Sequence, residues 1–292
     1  MITLENYQAF VEARERFERE RLAHYWLEQE KRFVPPFRVF GNVWYVGDSW
    51  VCVHLVQTDA GLLMIDAGNV GATPMLIHAI WSLGFSPADV KWIILSHGHV
   101  DHFGAANFFH RMFGTEIYIG EPDAVMKEQH PELTYLQDAR NICEDLYPVD
   151  HVIHHNDVLQ FGDLRIDCRL VPGHTAGCVA LFFDAMENGQ TVRVGYYGGF
   201  GFNTLTKEYL QEIGDTNYQM RETYLQSLRS VMDEPVDLFL GNHTSNNHLM
   251  EKRQLQLSDC DKNPFLNKTE WREYLQQKEQ ELLAYMADPA NQ

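Results

Sequence analysis

His97, Gly98, His99, Val100, Asp101 and His102 bring three imidazoles and a carboxylate into six consecutive residues. Those donors suit zinc, a borderline-soft ion that takes nitrogen and oxygen ligands in a roughly tetrahedral shell and keeps one position open where it is catalytic. Alternation along an extended loop sends His97 and His99 the same way, toward one metal, and leaves Asp101 and His102 to face a neighbouring one. Each shell needs further ligands. His174, in the turn Val171-Pro172-Gly173-His174-Thr175-Ala176-Gly177, and His243, directly after Gly241-Asn242, both follow predicted strands. Strand ends are where an open sheet presents ligands.

These residues need elements to hold them. Runs at 37–40, 43–46, 51–57 and 62–65, separated by Gly41-Asn42 and Asp59-Ala60-Gly61, predict antiparallel strands joined by tight turns. A helix over 74–83 and an apolar strand over 92–95 follow, so the histidine cluster sits at the C-terminal end of a buried strand. Beyond it the pattern predicts a helix at 105–112, a strand at 117–119 and a mostly helical stretch from 121 to about 147. Strand signals return at 158–161, 164–171, 179–183 and 191–197, with Asn188-Gly189 as a hairpin turn. A helix over 218–232, a strand over 236–240 and further helices close the chain. In the last helix, opened by Thr269, the residues Trp271, Leu275, Leu282 and Met286 share one face, which predicts docking. Two β-rich halves with helices interleaved predict an α/β (α+β) fold in which two sheets pack together under outer helices, a four-layer αββα sandwich.

Residues 5–32 read as a charged helix carrying Tyr7, Phe10, Phe17, Leu22, Tyr25 and Trp26, stopped by Pro35-Pro36. Residues 1–34 are therefore expected to form an N-terminal helical extension and 35–292 the main domain with its C-terminal helices. The extension is expected to cover its own domain, the other reading being a homo-oligomer formed through it.

Composition narrows the partners. With 23 Lys+Arg against 41 Asp+Glu, the formal net charge is -18, so the surface repels phosphate backbones and anionic headgroups. Nucleic acid is not an expected partner, and a small molecule is the expected substrate. The first 32 residues are rich in Glu and Arg, without the apolar core of a signal peptide, and no later run reaches membrane-spanning length. A cytoplasmic location and no membrane partner are the expectation. The five cysteines have no paired or zinc-knuckle spacing and read as reduced thiols. His54, His78, His151, His154 and His155 fall outside the motif pattern, the first two in apolar elements and the others in a polar loop.

The set HGHVDH, PGHTAG and a strand-end histidine, preceded by LLMIDAG around Asp66, resembles the metallo-β-lactamase superfamily from about residue 43 to 252. The resemblance implies that two Zn2+ ions are bound, the first by His97, His99 and His174 and the second by Asp101, His102 and His243. Asp66 would support the loop that carries the ligands. Many relatives place a bridging Asp on the strand after PGHT; here that region reads Val194-Gly195-Tyr196-Tyr197-Gly198-Gly199 and has no carboxylate or cysteine. The remaining arrangement is most similar to the third metallo-β-lactamase subclass.

The resemblance implies hydrolysis by a metal-bound hydroxide that opens an amide or ester bond, with β-lactams among the substrates. Paired metals lower the pKa of a water from near 15.7 to about 7, and Asp101 would orient it and pass on its proton. Tyr196 and Tyr197 stand where the carboxylate is missing, and alternation lets one of them point inward; Tyr197 is the candidate oxyanion donor. Packing is the plainer reading of both tyrosines. Asn203, Thr244, Ser245 and His248 are weaker candidates for substrate contact. The alternatives are a lactone or thioester hydrolase of the glyoxalase II kind and a non-catalytic metal-bound scaffold, the latter disfavoured because a structural zinc needs a closed shell.

Overall fold

The computed structural model describes residues 29–136, 146–258 and 262–291. Strands β1 (Phe37–Phe40), β2 (Val43–Tyr45), β3 (His54–Thr58) and β4 (Gly61–Ile65) pair antiparallel in chain order. Helix α1 (Thr73–Ser82) then carries the chain back to β5 (Val90–Leu95), parallel to β4. Two further crossovers follow. The first uses α2 (Val100–Phe103) and α3 (Ala106–Phe113) and leads to β6 (Glu116–Gly120); the second, opened by α4 (Glu121–Gln129), leads to β7 (His151–Ile153). Both new strands are parallel to their predecessors, and the sheet runs in the order β1-β2-β3-β4-β5-β6-β7.

The second half is an antiparallel meander of β8 (Val158–Phe161), β9 (Leu164–Leu170), β10 (Val179–Glu187) and β11 (Gln190–Tyr197). After α5 (Lys207–Glu212) and α6 (Gln219–Val231), β12 (Leu238–Leu240) joins β11 in parallel, giving the order β12-β11-β10-β9-β8. Helices α7 (Leu249–Leu257) and α8 (Glu270–Ala287) follow.

Alternation along the strands sorts the core into layers. On β10, Leu181, Phe183 and Ala185 face the other sheet and pack with Leu63, Ile94 and Ile166. Their neighbours Ala180 and Phe182 turn outward to Leu225, Leu228 and Trp271 of α6 and α8. On the far side, Ile93 and Leu95 of β5 pack under Leu76 and Ile80 of α1 and Phe109 of α3. Helix, sheet, sheet and helix stack in that order, which is the expected αββα sandwich. Trp271, Leu275 and Leu282 are buried, so α8 docks as its pattern predicts. Thr269 begins that helix without capping it; its hydroxyl donates instead to Asn267 Oδ1 at 3.1 Å.

Some local expectations change. The strand expected over 51–57 begins at His54, because Asp48 Oδ1 accepts from the backbone N–H groups of Trp50 and Val51 (both 2.7 Å) and bends the chain there. Val51 instead forms an isolated bridge with His243. His151 lies in β7 rather than a loop, its ring stacked on Tyr118 at 4.4 Å. In the stretch expected to be mostly helical, α4 is followed by a short 3-10 turn at Pro131–Thr134, and 137–145 lie outside the described residues. The predicted N-terminal helix lies outside them too, apart from a 3-10 turn at Gln29–Arg32.

Candidate metal centre

Strand β4 ends at Ile65, and the next residue, Asp66, adopts a left-handed conformation with φ 61°. A non-glycine residue rarely takes this shape; here it sets the Asp66 carboxylate under the loop that leaves β5. Ser96 N donates to its Oδ1 at 2.7 Å and Ser96 Oγ to its Oδ2 at 2.9 Å. The same Oδ2 lies 2.8 Å from His102 Nδ1 and accepts from Tyr196 Oη at 2.5 Å. Buried Asp66 thus fixes the start of the loop and the ring of its last histidine.

The other rings are held in a similar way. His97 Nδ1 lies 3.0 Å from Ser96 Oγ, His174 Nδ1 lies 2.9 Å from Gly201 O, and His243 Nδ1 lies 3.3 Å from Trp50 O. Anchoring one ring nitrogen frees the other to point at a metal. His174 Nε2 meets His99 Nδ1 at 3.0 Å, while His102 Nε2 and His243 Nε2 lie 3.4 and 3.5 Å from Asp101 Oδ2. Ligand atoms of His97, His99 and His174 fall within 4.8 Å of one another, as do those of His97, Asp101 and His102.

Whether these residues fit a cation is answered by their unpaired atoms. His97 Nε2 and His99 Nε2 are buried without a hydrogen-bond partner, a state that costs about 1–3 kcal/mol per group unless a ligand satisfies it. Burial, with the neighbouring histidines, pushes His97 and His99 well below the ordinary imidazole range, and burial takes His174 to about 4. Neutral imidazole is the metal-binding form. His102 behaves differently: burial lowers it, but the carboxylates of Asp101 and Asp66 outweigh burial and raise it to about 10. Burial opposes ionisation of Asp101, yet His102, His243 and His99 hold its carboxyl well below the usual range. In the absence of a cation the pair Asp101–His102 is an ion pair whose proton a metal would displace.

A further carboxylate joins the two ligand loops. Asp123, near the start of α4, accepts from Gly98 N at 2.8 Å, Thr175 Oγ1 at 2.7 Å and Gly177 N at 2.7 Å. It therefore clamps the HGHVDH loop to the PGHTAG loop. Its only sequence signal is its place at the head of a helix following a strand, which does not mark it among the many acidic residues of the chain.

The stretch without a carboxylate is tightly packed at Gly198 and Gly199. A Cβ on Gly198 would lie 2.6 Å from Ser96 O and 2.7 Å from Val179 O, and one on Gly199 would lie 2.7 Å from His174 Cδ2. No side chain fits there without moving backbone or a ligand ring.

Tyr197 is corrected by the geometry. Parity along β11 puts Tyr196 toward the inter-sheet core and Asp66, and turns Tyr197 to the outer face. There Tyr197 stacks on Phe200 at 4.3 Å, buried among apolar side chains and away from the cleft. The inward tyrosine is Tyr196, and its hydroxyl is already committed to a carboxylate.

Over the centre opens a cleft of about 740 Å³, walled by Trp50, Tyr135, Phe200, Asn203, Ser245 and Lys278 among others. Asn203 and Ser245 thus stand where substrate contact was expected. Thr244 is tied to Ser49 O at 2.8 Å, and His248 sits at the head of α7 outside the lining. Trp50, Tyr135 and Lys278 were not foreseen. Trp50 lies 5.4 Å from the His243 ring and Tyr135 lies 4.9 Å from the His99 ring.

Residues 51–187 match the family model of the metallo-beta-lactamase superfamily. The chain thus carries a metallo-beta-lactamase superfamily domain, and it is a metal-binding hydrolase. Solved structures similar to it include the metallo-beta-lactamase FEZ-1 from Legionella gormanii, 25% identical with a TM-score of 0.76, matched over 87% of this chain and 95% of that one. BJP-1 of Bradyrhizobium japonicum, a subclass B3 enzyme, shares the fold with a TM-score of 0.76 at 24% identity, over 89% of this chain and 97% of its own. By sequence the chain is 26% identical to the hydroxyacylglutathione hydrolase GloC of Haemophilus influenzae, over 74% of this chain and 92% of that protein. No helix among the described residues is long and apolar enough to cross a membrane.

Proposed function

We propose that the chain is a binuclear zinc hydrolase that opens an amide or ester bond in a small molecule, with β-lactams among its substrates. The observation that carries this reading is the convergence of six donors on one cleft, with no room for a carboxylate at Gly198. His97, His99 and His174 would hold one zinc and Asp101, His102 and His243 the other. Zinc held by these residues would supply Lewis-acid activation of a water and of the substrate carbonyl at neutral pH.

The chain's own groups supply the rest. Asp101 uses one carboxylate oxygen on His102 and His243, leaving the other able to orient a water and accept its proton. Asp66 and Asp123 hold the ligand loops in place before substrate arrives, which spares reorganisation during reaction. Trp50, Tyr135 and Phe200 shield the carbonyl from bulk water. Tyr197 has no part in this scheme. The unpaired buried thiols of Cys52, Cys168 and Cys178 are consistent with the cytoplasm as its location.

Thioester hydrolysis is the second reading, supported by the likeness to a hydroxyacylglutathione hydrolase over 92% of that protein. Metal analysis of zinc-loaded protein, followed by nitrocefin, an acyl-homoserine lactone and lactoylglutathione assayed side by side, separates the readings. About two zinc ions per chain with nitrocefin turnover is the expected result. Turnover of the thioester alone would replace the first reading with the second. Fewer than one zinc per chain, or a His97→Ala variant with unchanged metal content, would overturn the site.

A further inference from the structure

We infer that Asp48 is a positioning residue for the second metal position, its carboxylate setting the segment that fixes His243 against the loop that braces His102; this rests on the reading of His102 and His243 as ligands of one ion. Asp48 acts through two backbone segments rather than on a ligand ring. The first is the bend after β2, where its Oδ1 accepts from Trp50 N and Val51 N, both at 2.7 Å, and turns residues 49–52 alongside 242–244. Trp50 O then accepts from Thr244 N at 3.0 Å and lies 3.3 Å from His243 Nδ1, Ser49 O accepts from Thr244 Oγ1 at 2.8 Å, and Cys52 N donates to Asn242 O at 2.9 Å. His54, the first residue of β3, sets its Nε2 3.2 Å from Gly241 O. Every residue from Gly241 to Thr244 is thus tied to the stretch that Asp48 bends.

The second segment follows Asp66. Ala67 N donates to His102 O and Gly104 N to Gly68 O, both at 2.7 Å, so residues 67–68 brace the backbone that carries His102. The next residue, buried Asn69, places its Nδ2 3.5 Å from Asp48 Oδ2. That same oxygen accepts from Arg32 Nε at 3.1 Å, and the guanidinium lies 5.6 Å from the Trp50 ring. One oxygen of Asp48 therefore holds the His243 side and the other reaches the His102 side.

The chemistry of the hub calls for a carboxylate. Two backbone N–H groups, an amide and a guanidinium converge on a side chain that is 6% exposed, and an ionised carboxylate is the side chain that accepts on both oxygens and donates nothing. Burying that charge requires a paired cation, which Arg32, itself 12% exposed, supplies. An amide in its place keeps one oxygen for Trp50 and Val51 but turns an NH2 group toward Arg32 and Asn69, donor facing donor. The effect is local to one metal position. His97 and His174 are anchored separately by Ser96 and Gly201, and their loops by Asp123.

The test is a calorimetric zinc titration of the metal-free full chain. Wild type is expected to take up two ions in two steps, and the step missing from His243→Ala marks the second position. Asp48→Asn should weaken that step by about 10-fold or more, the usual range for groups that orient ligands, and leave the other step unchanged. Arg32→Gln keeps both bonds to Oδ1 and should weaken the same step by less. Combined with Asp48→Asn it should cost little more, because the two groups share one contact. A purely structural role would weaken both steps together. Both steps weakened alike in Asp48→Asn, a second step unchanged in it, or full additivity of the two substitutions would overturn the assignment. Should Asp48→Asn not fold, Arg32→Gln decides alone: a weaker second step supports the role, and an unchanged one overturns it. A single step in wild type, or two steps that both survive in His243→Ala, would remove the reading of the second position and the role of Asp48 with it.

Discussion

Tyr196 Oη and Asp66 Oδ2 meet at 2.5 Å across the interface between the two sheets, joining a strand of the second half to the carboxylate that orients a ligand from the first. A hydrogen bond to a charged group contributes about 1.5–3 kcal/mol. Tyr196→Phe should lower unfolding free energy by about that amount and weaken metal retention at the Asp101–His102–His243 position, measured by denaturant titration and chelator competition. Tyr197→Phe removes a hydroxyl without a hydrogen-bond partner and should leave metal retention unchanged. If the two variants lost metal equally, the assignment of Tyr196 to the site would be wrong.

Asp123 offers a second test. Replacing it by Ala leaves Gly98 N, Gly177 N and the Thr175 hydroxyl without their acceptor. A loss of about 3 kcal/mol or more is expected, with zinc released from His97, His99 and His174 at lower chelator concentration. Asp123→Asn keeps an acceptor oxygen and should recover part of both quantities.

Gly198→Asp puts a carboxylate into the stretch that has none, but its Cβ would overlap Ser96 O and Val179 O. Overpacking of this kind costs about 1–3 kcal/mol. The variant should be less stable and show unchanged zinc stoichiometry. A stable variant with a tightened second zinc would mean that the strand can move to admit a side chain at Gly198.

The pH dependence of metal-free protein follows from two opposite shifts. Burial depresses His174 to about 4, so the folded chain binds fewer protons than the unfolded one from about pH 4 to 6.5, and its stability rises with pH there. Against burial, Asp101 and Asp66 raise His102 to about 10, so the folded chain holds an extra proton above 6.5 and stability falls as pH climbs toward 10. Denaturation midpoints across pH 4 to 10 should therefore pass through a maximum without metal. Zinc displaces the His102 proton, and the alkaline decline should disappear in the loaded protein.

Trp271 ties α8 to the outer sheet face, its indole N–H donating to Val231 O at 2.9 Å. Trp271→Ala should cost about 3–5 kcal/mol. Zinc content should stay near two, because no metal donor lies on α8. Zinc lost along with stability would show that the metal centre depends on how α8 docks.

Much of the centre was legible because its donors are local. Three histidines and Asp101 share six residues, and His174 and His243 follow strands whose apolar runs announce them. The sandwich was legible for the same reason, since period-two runs and turn residues are short-range signals. Alternation also said that one of Tyr196 and Tyr197 faces inward, but the choice depends on register, with Tyr196 opposite Leu181 on β10. Contacts across long separations left no such trace. Trp50 meets His243 across 193 residues, and Lys278 reaches the cleft through the docking of a helix. Val51 was misread because a strand-like run was bent by one upstream side chain, Asp48.

The bridge between Val51 and His243, reinforced by Cys52 N donating to Asn242 O at 2.9 Å, stitches an early segment of the chain to a late one. During synthesis, domains fold as the chain emerges, and the loop bearing His97, His99, Asp101 and His102 is made long before His243. If His243 completes a second metal position as proposed, a nascent chain stalled short of that residue would carry it incomplete, however well its first sheet has formed. On that reading metal loading would be a sign that the whole sandwich has closed, and truncated products should be distinguishable from the finished chain by how much zinc they hold.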